Sequence, residues 1–130
     1  MFTIQQIHEA HSRVKSGADF PAYIQDLKKL GVHSFVTYVV DSRTEYWGDN
    51  NFHTASAALY TDLNIADESK KEQFIHYLKI HQQGQTNYET FCLNCAETGI
   101  EKWVVDINKL TCIYYDKAGI EILAEHIPEK

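Results

Sequence analysis

Ile4, Ile7, His11 and Val14 recur with the three-to-four-residue rhythm of a helix. Thr3 and Gln6 are spaced as a capping box ahead of that run, Phe2 and Ile7 stand at the staple positions, and Gly17 ends it. A second helix is expected from Asp19, with Pro21 in its first turn and Phe20, Tyr23, Ile24, Leu27 and Leu30 on its apolar face. Gly31 closes it. The rhythm then changes. Val32 to Asp41 is rich in β-branched and aromatic residues, Asp41 to Thr44 reads as a turn, and Glu45 to Trp47 reads as the return strand, stopped by Gly48. Residues 52–65 show no clear period: their alanines favour helix, while Thr54, Thr61 and Asn64 oppose it.

Helical spacing returns with Phe74, Tyr77, Leu78 and His81, in a helix capped by Asp67 and stopped by Gly84. A further capping box, Thr86 with Glu89, opens a helix whose face carries Tyr88, Phe91, Cys92, Cys95 and Ala96. Gly99 and Ile100 fit a Schellman end to it. Lys102 to Ile107 and Leu110 to Tyr115 read as strands paired around Asn108-Lys109, and Ile120 to Ala124 as a third. This order predicts an α+β fold: a mainly antiparallel sheet, hairpin plus C-terminal meander, packed against about four helices. No repeat, linker or low-complexity tract interrupts residues 1–130, which are expected to form a single domain.

Composition narrows the class. Of 130 residues, 44% are hydrophobic and 23% charged, as in a globular protein. Twelve basic against 18 acidic residues give −6, the opposite balance to a general nucleic-acid binder. No apolar stretch approaches the ~20 residues of a membrane span, and no signal-peptide pattern opens the chain. Three cysteines, an odd number, do not suit a secreted disulfide scaffold, so a cytoplasmic protein is expected. The seven histidines are many for this length, and protonating all of them would carry the charge from −6 to about +1.

The second half carries a longer motif. It runs His81-x-x-Gly84-Gln85-Thr86-x-Tyr88-x-x-Phe91-Cys92, then Ala96-x-x-Gly99-Ile100-x-Lys102-Trp103-x-Val105-Asp106. Thr111-Cys112-x-Tyr114-x-Asp116-x-x-Gly119 and Ile127-Pro128 complete it, and the first half adds Phe20-Pro21-x-Tyr23-Ile24 and Gly31-Val32. The order resembles the YbcV-like family of small bacterial and prophage proteins, a domain of unknown function in which some members carry the label "phage envelope protein". That label fits poorly with a chain lacking a membrane segment or coiled coil. The resemblance implies a family and no catalytic residues.

Candidate chemistry is sparse. No serine elbow, HExxH, P-loop, GxGxxG or calcium loop is present, so no cofactor is expected. Cys92 and Cys95 have CxxC spacing, but well inside a helix, where buried thiols acting as small hydrophobes are the plainer reading. With Cys112 and a histidine they would make a zinc site. His8 and His11, one turn apart, would make a weak metal pair. His81, Gln85 and Thr86 stand where one helix ends and another begins, a setting that attracts anions. His81 with Asp106 or Asp41 would make an acid–base pair.

Alternation places Trp103, Val105 and Ile107 on the core face of their strand and Lys102, Val104 and Asp106 on the other. Eight tyrosines, with no nucleophile–base pair, favour a noncatalytic domain binding a small molecule or protein through an aromatic sheet face. Tyr38, Tyr46 and Trp103 are expected to flank the pocket, with Lys102, Gln85 and Thr86 as polar contacts. The acid–base enzyme and the zinc site are the alternatives. Exposed strand edges would allow self-association.

Overall fold

The computed structural model describes residues 2–14 and 19–128. Two helices, α1 (Ile4–His11) and α2 (Phe20–Leu30), lead into β1 (Val32–Tyr38), β2 (Thr44–Gly48) and β3 (His53–Ala55). Two more, α3 (Lys71–Gln82) and α4 (Tyr88–Glu97), lead into β4 (Ile100–Asp106), β5 (Thr111–Asp116) and β6 (Glu121–His126). The six strands form one antiparallel sheet in the order β3-β2-β1-β4-β5-β6, as the α+β expectation requires. Helices cover one face. There Phe35, Thr37, Thr44, Tyr46, Trp103, Val105, Cys112 and Tyr114 are buried. On the other face Ser34, Val36, Tyr38, Glu45, Trp47, Lys102, Val104, Asp106, Ile113 and Tyr115 are all half-buried.

Local chemistry sets most boundaries. Thr3 Oγ1 accepts from the Gln6 amide at 3.1 Å, and the Gln6 side chain accepts from the Thr3 amide at 2.8 Å, completing the capping box. Asp19 is the N-cap of α2, and Gly31 ends that helix in the left-handed region. The Gly17 stop lies outside the described residues.

Other boundaries move. Asp67 does not cap α3, which begins at Lys71; its carboxylate instead accepts from Lys117 Nζ at 2.7 Å. Asn87, not Thr86, caps α4, its side chain accepting from the Thr90 amide at 2.8 Å. Residues 56–70 form no helix. Leu59 and Leu63 donate backbone bonds to Asp41 and Val40, and Ala66 and Lys70 donate to Ala96 and Thr98, so their amides are committed to the β1–β2 turn and the end of α4. Asn108-Lys109 is not a two-residue turn. Asp106 pairs with Thr111, leaving a four-residue loop that ends on Leu110 at φ 55°.

The absence of a repeat, expected from the sequence, is corrected by the sheet. A shift of 68 residues carries Gly31 onto Gly99, and the β1–β2 hairpin onto β4–β5. Phe35 faces Tyr46 as Trp103 faces Tyr114, and Thr37 faces Thr44 as Val105 faces Cys112. The register slips at the same place, between Val32 and Ser34 and between Ile100 and Lys102. Left-handed backbone recurs at the same shift in Gly31 and Gly99, Ser42 and Leu110, and Asn51 and Gly119. Val36 pairs with Val104, its own equivalent, so a local twofold axis passes between them. The molecule is thus an ααβββ unit repeated about the centre of its sheet. Between residues 20–56 and 88–124 at that shift, only Gly31/Gly99, Val36/Val104 and Tyr46/Tyr114 are identical. Burial and backbone handedness are kept where residue identity is not.

Candidate functional site

The two helix pairs leave a gap where they meet the centre of the sheet. A cavity of about 170 Å³ lies there. Equivalent residues of both repeats line it: Phe20 and Tyr88, Tyr23 and Phe91, Phe35 and Trp103, Thr44 and Cys112, Tyr46 and Tyr114. It therefore straddles the local twofold axis. Exposed His8, Leu59 and Gln82 stand at its mouth. A second recess of about 310 Å³ adjoins it through Phe20, Gln82, Cys112 and Tyr114 and reaches the β6 edge at Glu125 and His126.

The two walls differ in chemistry. The first repeat contributes hydroxyls: Thr37, Ser42, Thr44, Tyr23 and Tyr46. At the equivalent positions the second repeat has Val105, Leu110, Cys112, Phe91 and Tyr114. The hydroxyls hold one another. Thr37 and Thr44 Oγ1 lie 3.0 Å apart, Thr44 Oγ1 donates to the Ser42 carbonyl at 3.2 Å, and Ser42 is bonded to the Tyr88 hydroxyl. Tyr23 and Tyr46 are also hydrogen-bonded, and burial pushes the pKa of each upward. The other wall is a ring cluster. Trp103 contacts Tyr88, Phe91 and Tyr114 with centroids 5.7–6.3 Å apart. Among the described residues no Asp, Glu, Lys or Arg side chain lines the cavity.

Besides His8 at the mouth, two half-buried imidazoles complete the lining. His11 sits edge-on to Tyr23 and Tyr88, at 5.2 and 5.7 Å. His81 lies flat on Phe91, with centroids 4.4 Å apart and planes 9° from parallel. Its Nδ1 is 3.1 Å from both the Thr86 carbonyl and Oγ1. A carbonyl only accepts, so Nδ1 carries the proton and donates. Burial lowers the pKa of both histidines. The nearby His8 adds to the effect at His11, and the Thr86 carbonyl opposes it at His81.

The residues singled out from the sequence divide. Tyr46, Trp103 and His81 line the cavity, and Thr86 orients His81. Tyr38 and Lys102 do not reach it. They belong to the open face, where Tyr38 donates to Glu45 at 2.9 Å and Lys102 Nζ lies 5.5 Å from the centre of the Tyr115 ring. Gln85 is exposed and bonds Gln83. His81 bonds neither proposed carboxylate. Asp106, on the opposite sheet face, accepts from the Lys109 amide, and Asp41 accepts from the Arg43 amide.

Cys92, Cys95 and Cys112 are free and buried. Burial raises all three thiol pKa values, that of Cys112 to about 12. Among the described residues no group of three or more His, Cys, Asp or Glu is placed to hold a metal ion, so neither the cysteines nor the His8/His11 pair gains further ligands. Sequence reasoning missed His11, Tyr23, Thr37 and Thr44 as lining residues. His11 interrupting an apolar stripe was their one visible signal.

Among the described residues no helix is long and apolar enough to cross a membrane. No curated protein matches the chain. The family described as "Protein of unknown function (DUF1398)" matches residues 8–126, almost the whole ααβββ pair, and the chain belongs to that family.

Proposed function

We propose that this protein is a noncatalytic binding domain that takes a single-ring small molecule into the cavity between its sheet and its helices. The observation that carries this reading is the cavity itself: about 170 Å³, walled by Tyr46, Trp103, Phe91 and Tyr114, with an opening at His8, Leu59 and Gln82. An apolar cavity of about 150 Å³ is enough to hold benzene. The hydroxyls of Thr37, Thr44, Ser42 and Tyr88 on its wall are spent on one another, and among the described residues no nucleophile–base pair stands with them. The cytoplasm is the compartment that three free thiols favour. The motif order from His81 to Pro128 supports kinship with the YbcV-like bacterial and prophage members of the family.

The test is a toluene titration followed by NMR in the Trp47→Phe variant, which leaves Trp103 as the one indole. Saturable shifts of the Trp103 indole N–H and of the Phe35 and Cys112 amides are expected. No shift, or shifts confined to Tyr38, Lys102 and Tyr115 on the open face, would overturn the reading.

A further inference from the structure

We propose that the ligand is an uncharged ring bearing a hydroxyl, phenol being the simplest case, and that its O–H donates to Nε2 of His81. The assignment rests on the cavity reading above and adds the chemistry of the occupant. It follows from a count of which hydrogen-bonding atoms on the wall are already used. Thr37 is paired with Thr44, Ser42 with Tyr88, and Tyr23 with Tyr46. Of the wall's two half-buried imidazoles, His11 makes only ring contacts among the described residues, so His81 alone is held in one orientation by a hydrogen bond. His81 donates from Nδ1 to the Thr86 carbonyl, which fixes its tautomer. Nε2 is then an acceptor, and since no buried side-chain nitrogen or oxygen among the described residues lacks a partner, its free lone pair is accessible rather than sealed in the core. The ring cannot turn to hide it without losing both the Thr86 bond and the stack on Phe91.

An acceptor calls for a donor. A cation would supply one, but among the described residues no carboxylate lines the cavity to balance its charge. A carboxylate ligand would bring a second acceptor against Nε2. It would bind only by first charging the imidazole, against the burial that lowers the His81 pKa. A neutral O–H needs neither. The ring that carries it would meet Phe91, Trp103 and Leu78 on the apolar side.

The experiment compares phenol, toluene and benzoate at pH 8 by the Trp103 indole shift, in the Trp47→Phe background. Phenol is expected to bind about five-fold more tightly than toluene, the ratio one neutral hydrogen bond supplies. Benzoate is expected to bind most weakly. His81→Phe keeps a flat ring over Phe91 and removes the acceptor. In that variant toluene should still bind saturably, which shows an intact cavity, while phenol falls to toluene's level or below. His81→Leu serves if the phenylalanine does not fit. If toluene binds but phenol binds no better, or if phenol keeps its advantage in both His81 variants, the hydroxyl assignment is overturned and the cavity reading stands. If benzoate binds most tightly, the ligand is an anion and the assignment fails. If neither toluene nor phenol binds, both fall.

Discussion

Gly31 and Gly99 hold the same position in the two repeats, with φ of 98° and 82°, yet only one of them is crowded. A Cβ on Gly31 would meet nothing within 4 Å. A Cβ on Gly99 would lie 2.7 Å from the Glu68 carbonyl oxygen and 2.8 Å from Ser69 Cα. The difference comes from the connection between the repeats, which crosses the second glycine.

Gly31→Ala and Gly99→Ala therefore separate backbone strain from collision. Left-handed backbone costs an alanine roughly 1–2 kcal/mol at either site. At Gly99 the added methyl must also push back a backbone segment held by the Lys70-to-Thr98 bond, an overpacking cost of roughly 1–3 kcal/mol more. In urea unfolding, Gly99→Ala should lose about twice the stability of Gly31→Ala. Equal losses would show that residues 68–69 give way freely.

Stability should fall in mild acid. His11 and His81 have pKa values lowered on folding, chiefly by burial, so between those values and about 6.5 the unfolded chain binds more protons than the native one. Their contribution is fully present above about pH 6.5 and is lost as pH falls through the folded values. The urea midpoint should drop over that window. His81→Phe should make the drop shallower. A midpoint that is flat from pH 7 to 5 would contradict the assignment.

The three thiols should behave as core atoms. Cys92 and Cys95 are fully buried and Cys112 nearly so, and each has its pKa raised mainly by burial, so little thiolate exists at pH 8. Native protein should react with a disulfide reagent only at its rate of opening, releasing three equivalents promptly once denatured. Prompt native labelling of Cys92 or Cys95 would revive a redox role for the CxxC spacing.

Much of the fold is written in local chemistry. Thr3 with Gln6, Pro21 and Gly31 act within a few residues of themselves, so the helices they bound can be read directly. Asp67 and Thr86 show the failure of the same logic. Each has capping chemistry, but Asp67 finds Lys117, fifty residues away, and Thr86 is taken by His81. Residues 56–70 fail likewise, because their amides bond to the β1–β2 turn and the end of α4, brought near only by folding. Alternation correctly sorted Trp103 from Lys102. Tyr46 lines the cavity as expected and Tyr38 does not, because nothing local says that Tyr38 faces away from Tyr46 across the hairpin; the Thr37–Thr44 register decides it. The duplication was hidden because strand position asks for burial and turn position asks for handedness, and neither asks for a particular residue.

The hydroxyl wall provides a last prediction. Thr37 and Thr44 are buried with Oγ1 atoms 3.0 Å apart, whereas the second repeat builds the same pair from Val105 and Cys112. Thr44 gives its proton to the Ser42 carbonyl, so Thr37 donates to Thr44. Thr44→Val removes the acceptor of Thr37 and the donor to Ser42 together, and should cost roughly 1–3 kcal/mol, since buried groups are left unpaired. Thr37→Val removes one donor and should cost about 1 kcal/mol. The double variant leaves no orphaned Thr37 hydroxyl. It should cost less than the two single losses added, with a coupling of about 0.5–1 kcal/mol in a urea-unfolding cycle. Strict additivity would mean that the two hydroxyls do not act as a pair. Because the double variant also makes the polar wall resemble the apolar one, it should tighten toluene binding while leaving the phenol contact at His81 in place.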